Sequence, residues 1–183
     1  LTSLNAQEIF ARCTLDHDRY DLVDIDGFGS VFRYLPSLWS ALAPGGLLYW
    51  TATDGQVLGG HDPDRCLQRY GAYARALPCT QEQAMRIVIG SLAAAARQHQ
   101  CHIRPILATY TGQTYRILIQ RLLHPEKTGS GGTWSDRYGF LGYCQRCGAY
   151  QTADWRHLGR MLCPQDGSPM TLSGPLWLGS LHD

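Results

Sequence analysis

Two short runs of buried-strand character, separated by a single helix, constrain the fold of this chain more than any other feature. Tyr20 to Ile25 (Tyr-Asp-Leu-Val-Asp-Ile) and Leu47 to Thr53 (Leu-Leu-Tyr-Trp-Thr-Ala-Thr) are β-branched and aromatic stretches of strand length. Between them, Pro36 to Ala43 reads as a helix with proline in its first turn, halted by Pro44-Gly45-Gly46. Strand, helix, strand is a βαβ unit, which makes the two strands parallel and the crossover right-handed. The first strand runs into Asp24-Ile25-Asp26-Gly27-Phe28-Gly29-Ser30. Its Gly-Phe-Gly turn delivers a carboxylate and an aromatic ring to the strand's C-terminal end, the edge at which open α/β sheets bind ligands. Two readings stand: a substrate clamp made by Asp26 and Phe28, or a plain turn in which Asp26 bonds its own backbone and Phe28 fills the core.

The flanking sequence extends this unit. Asn5 to Arg12 is a short helix with Asn5 as cap and Glu8 at the third helical position. Asp54 to Pro78 reads as a long, Gly-rich loop carrying Arg65, Arg69 and Tyr70, and loops of that length in compact domains are usually functional. Thr80-Gln81-Glu82-Gln83 is a capping box opening a helix to about Gln98, with Ala84, Val88, Leu92 and Ala95 on one apolar face. Ile103 to Tyr110 and Tyr115 to Leu122, joined by Thr111-Gly112-Gln113-Thr114, form an antiparallel hairpin. The fold class is therefore α/β. The arrangement resembles the second half of a Rossmann-like class I S-adenosylmethionine-dependent methyltransferase sheet with its terminal antiparallel hairpin. No G-x-G-x-x-G opens a helix anywhere in the 183 residues.

Past Leu122 the character changes. Residues 124–136 are a Gly/Ser-rich linker, dividing a partial methyltransferase domain (1–123) from a small Cys-bearing module (137–183). In that module Cys144-Gln145-Arg146-Cys147 and Cys163-Pro164-Gln165-Asp166-Gly167 have zinc-ribbon spacing, with Asp166 where a fourth cysteine is expected. Carboxylate oxygen is a legitimate zinc ligand, and His157 is the rival for the fourth place. A structural Zn2+ would staple a module with few large apolar residues; the alternative is a decayed site with three reduced thiols.

Seven cysteines, an odd number, with four of them isolated (Cys13, Cys66, Cys79, Cys101), favour the cytoplasm or another reducing compartment. Stretches such as Ile87 to Ala96 fall well short of the roughly 18 apolar residues that span a bilayer, so no membrane association is expected. The net charge of +1 conceals a basic region. Residues 116–160 carry 7 Lys/Arg against 3 Asp/Glu, a net of +4 that suits a polyanionic partner.

Several stretches together resemble the tRNA guanine-26 N2-dimethyltransferase family. They are Asp24 to Ser30, Gly45-Gly46-Leu47-Leu48 running into Thr51-Ala52-Thr53-Asp54, Arg69-Tyr70-Gly71, and the closing Gly174-Pro175-Leu176-Trp177-Leu178-Gly179-Ser180-Leu181-His182-Asp183. The resemblance implies S-adenosylmethionine as cofactor, tRNA as partner and methylation of the exocyclic N2 amine of a guanine. Catalytic roles fall on Asp26, as acceptor of an amine hydrogen, on the Gly27 carbonyl, and on Phe28, as the ring stacked on a flipped base. Asn5, Ala6 and Asp24 occupy the cofactor positions, Asn5 having its helix cap as the competing role. Arg65, Arg69, Tyr70, Arg116, Arg121 and Arg146 would meet the RNA. The family has Asp-Pro-Phe/Tyr-Gly where this chain has Asp26-Gly27-Phe28-Gly29; Gly27 keeps the carbonyl but loses the ring that fixes φ, which implies a looser clamp. The resemblance also places the cofactor-loop strands before Leu1, so the missing half of the domain or a larger assembly is an expected partner. A non-catalytic RNA-binding module, or an assembly subunit derived from the enzyme, is the competing function.

Overall fold

The computed structural model describes residues 3–28, 31–124, 137–159 and 161–183. The chain packs into two compact units that interleave in sequence: Leu1–Asp54, Leu92–Glu126 and Leu181–Asp183 make the first, Gly55–Ser91 and Lys127–Ser180 the second. Gly55–Ser91, expected with the first 123 residues, thus packs with the Cys-bearing module. The expected linker falls almost wholly outside the described residues.

In the first unit, helix α1 (Ala6–Asp16) opens on the reciprocal capping box, Asn5 Oδ1 accepting from Glu8 N at 2.9 Å and Glu8 Oε2 from Asn5 N at 3.1 Å. It runs one turn beyond expectation and stops at His17, whose left-handed φ of 58° ends the helix. Strand β1 (Tyr20–Asp26) lies parallel to β2 (Leu42–Ala52), with α2 (Leu35–Ala41) as the crossover. Pro44-Gly45-Gly46 lies within β2 instead of beyond a helix end. The register jumps from Tyr20↔Leu42 to Leu22↔Leu47, so the extra residues form a bulge, with Gly45 at φ 81°.

Strands β3 (His102–Thr111) and β4 (Thr114–Leu122) make the hairpin, and the sheet order is β1-β2-β4-β3, as the single-helix crossover and short loop require. Gly112 and Gln113 both have positive φ (53° and 73°), the signature of a type I′ turn whose twist matches that of the flanking strands. Leu38, Trp39, Leu48, Trp50, Ile117 and Ile119 are fully buried. β1 departs from expectation: it alternates, with Val23 and Ile25 buried while Tyr20, Leu22, Asp24 and Asp26 are exposed.

In the second unit, α3 (Gly55–Leu58) and α4 (Pro63–Tyr70) replace most of the expected 54–78 loop. Asp62 caps α4 by accepting from Arg65 N at 3.1 Å, Pro63 occupies its first turn, and Gly71 closes it at φ 65°. Helix α5 (Thr80–Gln98) starts without the expected box. Thr80 donates its hydroxyl to Leu77 O, while Gln83, wholly buried, donates Nε2 to Arg75 O at 2.8 Å. Strands β5 (Tyr138–Tyr143), β6 (Tyr150–Ala153) and β7 (Thr171–Trp177) form an antiparallel sheet of order β6-β5-β7.

The closing family signature is the strand onto which α5 docks. A Cβ at Gly90 would stand 3.0 Å from Trp177 N, and the Arg86 guanidinium donates to the carbonyls of Trp177 and Gly179 at 2.9 Å each.

Candidate active site and metal centre

Parallel pairing sets Asp26 beside Thr51, so the C-terminal ends of β1 and β2 open together. The Asp26 side chain is exposed there, and Phe28 two residues on is fully exposed, so Phe28 does not fill the core. Gly29 and Ser30 lie outside the described residues. Gly27 has a local reason to be glycine: a Cβ would meet Val31 Cγ1 at 2.6 Å, and Val31 is buried and stiffened by its branch at Cβ.

Asn5 serves as a helix cap, and a carbonyl oxygen with one bond accepted retains a second lone pair. Ala6 opens the helix at that point, and Asp24 is exposed on β1. Asn5 and Asp24 thus keep acceptor oxygens, and the Ala6 side chain offers none.

The expected RNA contacts divide. Arg65, Arg69, Arg116 and Arg146 are exposed, with Arg65 paired to Asp62 at 3.4 Å and Arg116 donating to Thr111 Oγ1 at 3.1 Å. Two residues are corrected. Tyr70 is buried, its ring closing α4, so it offers no face to a base. Arg121 turns inward and donates to the carbonyls of Trp39, at 2.8 Å, and Leu42, which satisfies the end of α2 instead of a phosphate.

The metal-ligand pattern closes into one cluster. Cys144, Cys147, Cys163 and Asp166 bring one donor atom each within 4.8 Å of one another. Two knuckles of like geometry build it. Gly148 N donates to Cys144 O at 3.0 Å and Gly167 N to Cys163 O at 2.9 Å, with both glycines at positive φ (78° and 69°). Asp166 holds in the second knuckle the place of Cys147 in the first. His157 goes elsewhere, its Nδ1 sitting 2.7 Å from Asp154 Oδ1. Cys147 Sγ and Cys163 Sγ are 3.4 Å apart and no described cysteine is in a disulfide. Tetrahedral zinc with bonds of ~2.3 Å sets sulfurs about 3.8 Å apart, so the donor set fits that ion.

The Ser168 hydroxyl and the knuckle's backbone amides hold the Cys144 thiol down at about 7. Burial pushes Cys163 up to about 11. Ser168 also holds Asp166 at about 2, donating to Oδ1 at 2.6 Å. The sequence does not single out Ser168, and it offers Thr51 only as part of a longer stretch, with no role at the site. The signal for Ser168 is its place after Gly167, matching Ala149 after Gly148; the signal for Thr51 is the parallel register with β1.

Among known proteins, the family model described as N2,N2-dimethylguanosine tRNA methyltransferase matches residues 3–183. The tRNA (guanine(26)-N(2))-dimethyltransferase of Pyrobaculum neutrophilum is 34% identical over 89% of this chain and 42% of its own length. The tRNA (guanine(26)-N(2)/guanine(27)-N(2))-dimethyltransferase of Aquifex aeolicus is 29% identical over 90% of this chain and 41% of its own. The human tRNA (guanine(26)-N(2))-dimethyltransferase is 27% identical over 91% and 27%. The structure of Trm1 from Pyrococcus horikoshii with S-adenosyl-L-methionine superposes with a TM-score of 0.74 at 26% identity, over 94% of this chain and 43% of that one. The chain thus spans less than half the length of these relatives. A match across residues 3–183 has one meaning: the chain belongs to the N2,N2-dimethylguanosine tRNA methyltransferase family.

Proposed function

We propose that this chain contributes the base-handling part of an S-adenosylmethionine-dependent tRNA methyltransferase that modifies the N2 amine of guanine 26. The observation that carries the reading is the exposed pair Asp26 and Phe28 at the C-terminal end of β1, inside a family match spanning nearly the whole chain. Guanine N2 is a poor nucleophile because its lone pair is delocalised into the ring. A carboxylate at Asp26 that accepts one N–H favours the pyramidal nitrogen and draws the proton away as the nitrogen attacks. The Gly27 carbonyl takes the second N–H, and the Phe28 ring stacks on a base that has left the tRNA stack. S-adenosylmethionine, when bound, supplies an electrophilic methyl on its sulfonium; Asn5, Ala6 and Asp24 are the residues of this chain that would hold it.

Asp26→Asn in the natural full-length protein tests the assignment. Folding and tRNA affinity should change little, while single-turnover methyl transfer should fall by about 10²-fold or more, the loss expected on removing a positioned base. Full single-turnover activity in Asp26→Asn would reduce Asp26 to a turn residue.

The second unit is read as a structural zinc module held by Cys144, Cys147, Cys163 and Asp166, supported by the donor spacing and the paired knuckles. Metal analysis of protein purified without chelator should find about one equivalent of zinc per chain. None found would leave three reduced thiols and no staple.

A further inference from the structure

The second unit also contains a cavity of about 460 Å³ that neither the methyl-transfer site nor the metal cluster uses. One wall is a sheet face. The register pairs Leu141 with Thr152 and Tyr143 with Tyr150, so these four side chains share one side of the β5–β6 hairpin, and all four line the cavity. The opposite wall is a helix face: Cys79, Glu82, Gln83 and Arg86 recur at the spacing of one side of α5 and its entry. An α/β interface of this kind ordinarily closes by packing, and here a space within the range of small-ligand sites stays open.

The polar groups define what fits. Gln83 is committed to the Arg75 backbone, with its Nε2 on Arg75 O. Arg86 is committed to the Trp177 and Gly179 carbonyls and, through Nε, to Glu82 Oε1 at 2.9 Å. What remains to a ligand is the acceptor capacity of the half-exposed Glu82 carboxylate and two tyrosine rings, Tyr150 being 73% exposed. A flat molecule with apolar faces and adjacent N–H donors matches that set, and an anionic head does not. Among nucleobases, guanine presents two neighbouring donors to a carboxylate, N1–H and N2–H, where adenine and cytosine present one amino group.

The loop joining the two tyrosines is the first metal knuckle. Cys144 follows Tyr143, Ala149 precedes Tyr150, and a Cβ at Gly148 would stand 3.6 Å from the Tyr143 hydroxyl. Exposed Arg146 sits in that loop, its Nε 3.7 Å from Asp166 Oδ2. We infer that this cavity is a second base-binding site, distinct from the one at Asp26, which stacks an unpaired guanine of the bound RNA on Tyr143 and Tyr150 and pairs its N–H edge with Glu82. The inference rests on the tRNA reading above and extends it: the module holds the substrate by a nucleotide that is not modified.

Guanosine monophosphate and uridine monophosphate are the probes, and alkylation of Cys79, followed by mass spectrometry at mildly alkaline pH because burial raises that thiol, is the readout. Guanosine monophosphate should slow Cys79 alkylation, uridine monophosphate should slow it less, and Glu82→Gln should erase the difference between them. In tRNA binding, Tyr150→Ala should cost about 5- to 150-fold in affinity, the span that one stacked base contributes, while Tyr150→Phe retains it. Unprotected Cys79, together with tRNA affinity within twofold for a folded Tyr150→Ala protein, overturns the proposal. So does protection by an apolar peptide but not by the nucleotide, which would make the cavity a protein-docking groove. The two readings fail separately: methylation of tRNA with neither Cys79 protection nor a Tyr150 effect refutes the second site alone, and Cys79 protection with Tyr150-dependent tRNA binding but no methyl transfer refutes the methyl-transfer reading alone.

Discussion

In the sheet β1-β2-β4-β3, Leu48, Trp50, Ile117 and Ile119 are all fully buried, and the hairpin turns on two residues of backbone alone. In the sheet β6-β5-β7 the strands are short, Tyr150 on β6 is exposed, and the β5–β6 connection ends on Cys144 and Cys147. Apolar burial carries the register of the first sheet. The second buries Leu176 and Trp177 on β7, where α5 docks, while at its β5–β6 turn a cluster of three thiols and a carboxylate stands in for a core.

Five experiments break or sharpen that contrast. The largest effect should come from removing the metal by chelation, or from Cys163→Ser. Structural zinc contributes about 10–16 kcal/mol to the folding of small zinc peptides, so amide exchange protection should collapse over Tyr138–Tyr143 and persist over Leu48–Ala52. Equal loss in both strands would mean that the two sheets do not stand on separate supports. Acidification should imitate chelation, because the ion needs thiolates; zinc should leave as the pH falls and return as it rises, read by a colorimetric zinc indicator.

Next in size, Trp50→Ala should cost about 3–5 kcal/mol by denaturant melts of the first unit, with zinc content unchanged. Asp166→Asn should then weaken zinc by about tenfold or more in a chelator competition, and Asp166→Cys should tighten it, since thiolate is the softer and better-matched donor. Asn5→Ala, which removes only the α1 cap, should cost about 1 kcal/mol and leave the second sheet untouched.

The same contrast explains what could be read in advance. Strand periodicity exposed the parallel β1–β2 pair and the hairpin, because buried apolar residues leave a local pattern. Cysteine spacing exposed the cluster of Cys144, Cys147 and Cys163, because ligand geometry is local too; choosing Asp166 over His157 needed the knuckle's backbone hydrogen bonds. Helix α4 was readable in Asp62-Pro63 and Gly71, yet the glycines around it suggested a loop. The burial of Tyr70 and the inward turn of Arg121 left no local trace, since amphipathic side chains take either side of a surface depending on partners distant in sequence. The pairing of Gly55–Ser91 with Lys127–Ser180 was invisible for the same reason; it rests on Gly90 at the backbone of Trp177 and on Arg86 at two carbonyls more than ninety residues away.

That interleaving has a consequence on the ribosome. Residues 55–91 are made before their partner segment begins at Lys127, and the first unit's residues 92–126 emerge between them. At about 5–20 residues per second the wait is about 2–7 s before the first partner residue exists, and longer before β7 is complete. During it Val57, Leu58, Ile87 and Val88, all buried in the finished unit, face water or a chaperone. A nascent chain stalled just past residue 126 should therefore be a better chaperone client than one stalled after the whole second unit has emerged.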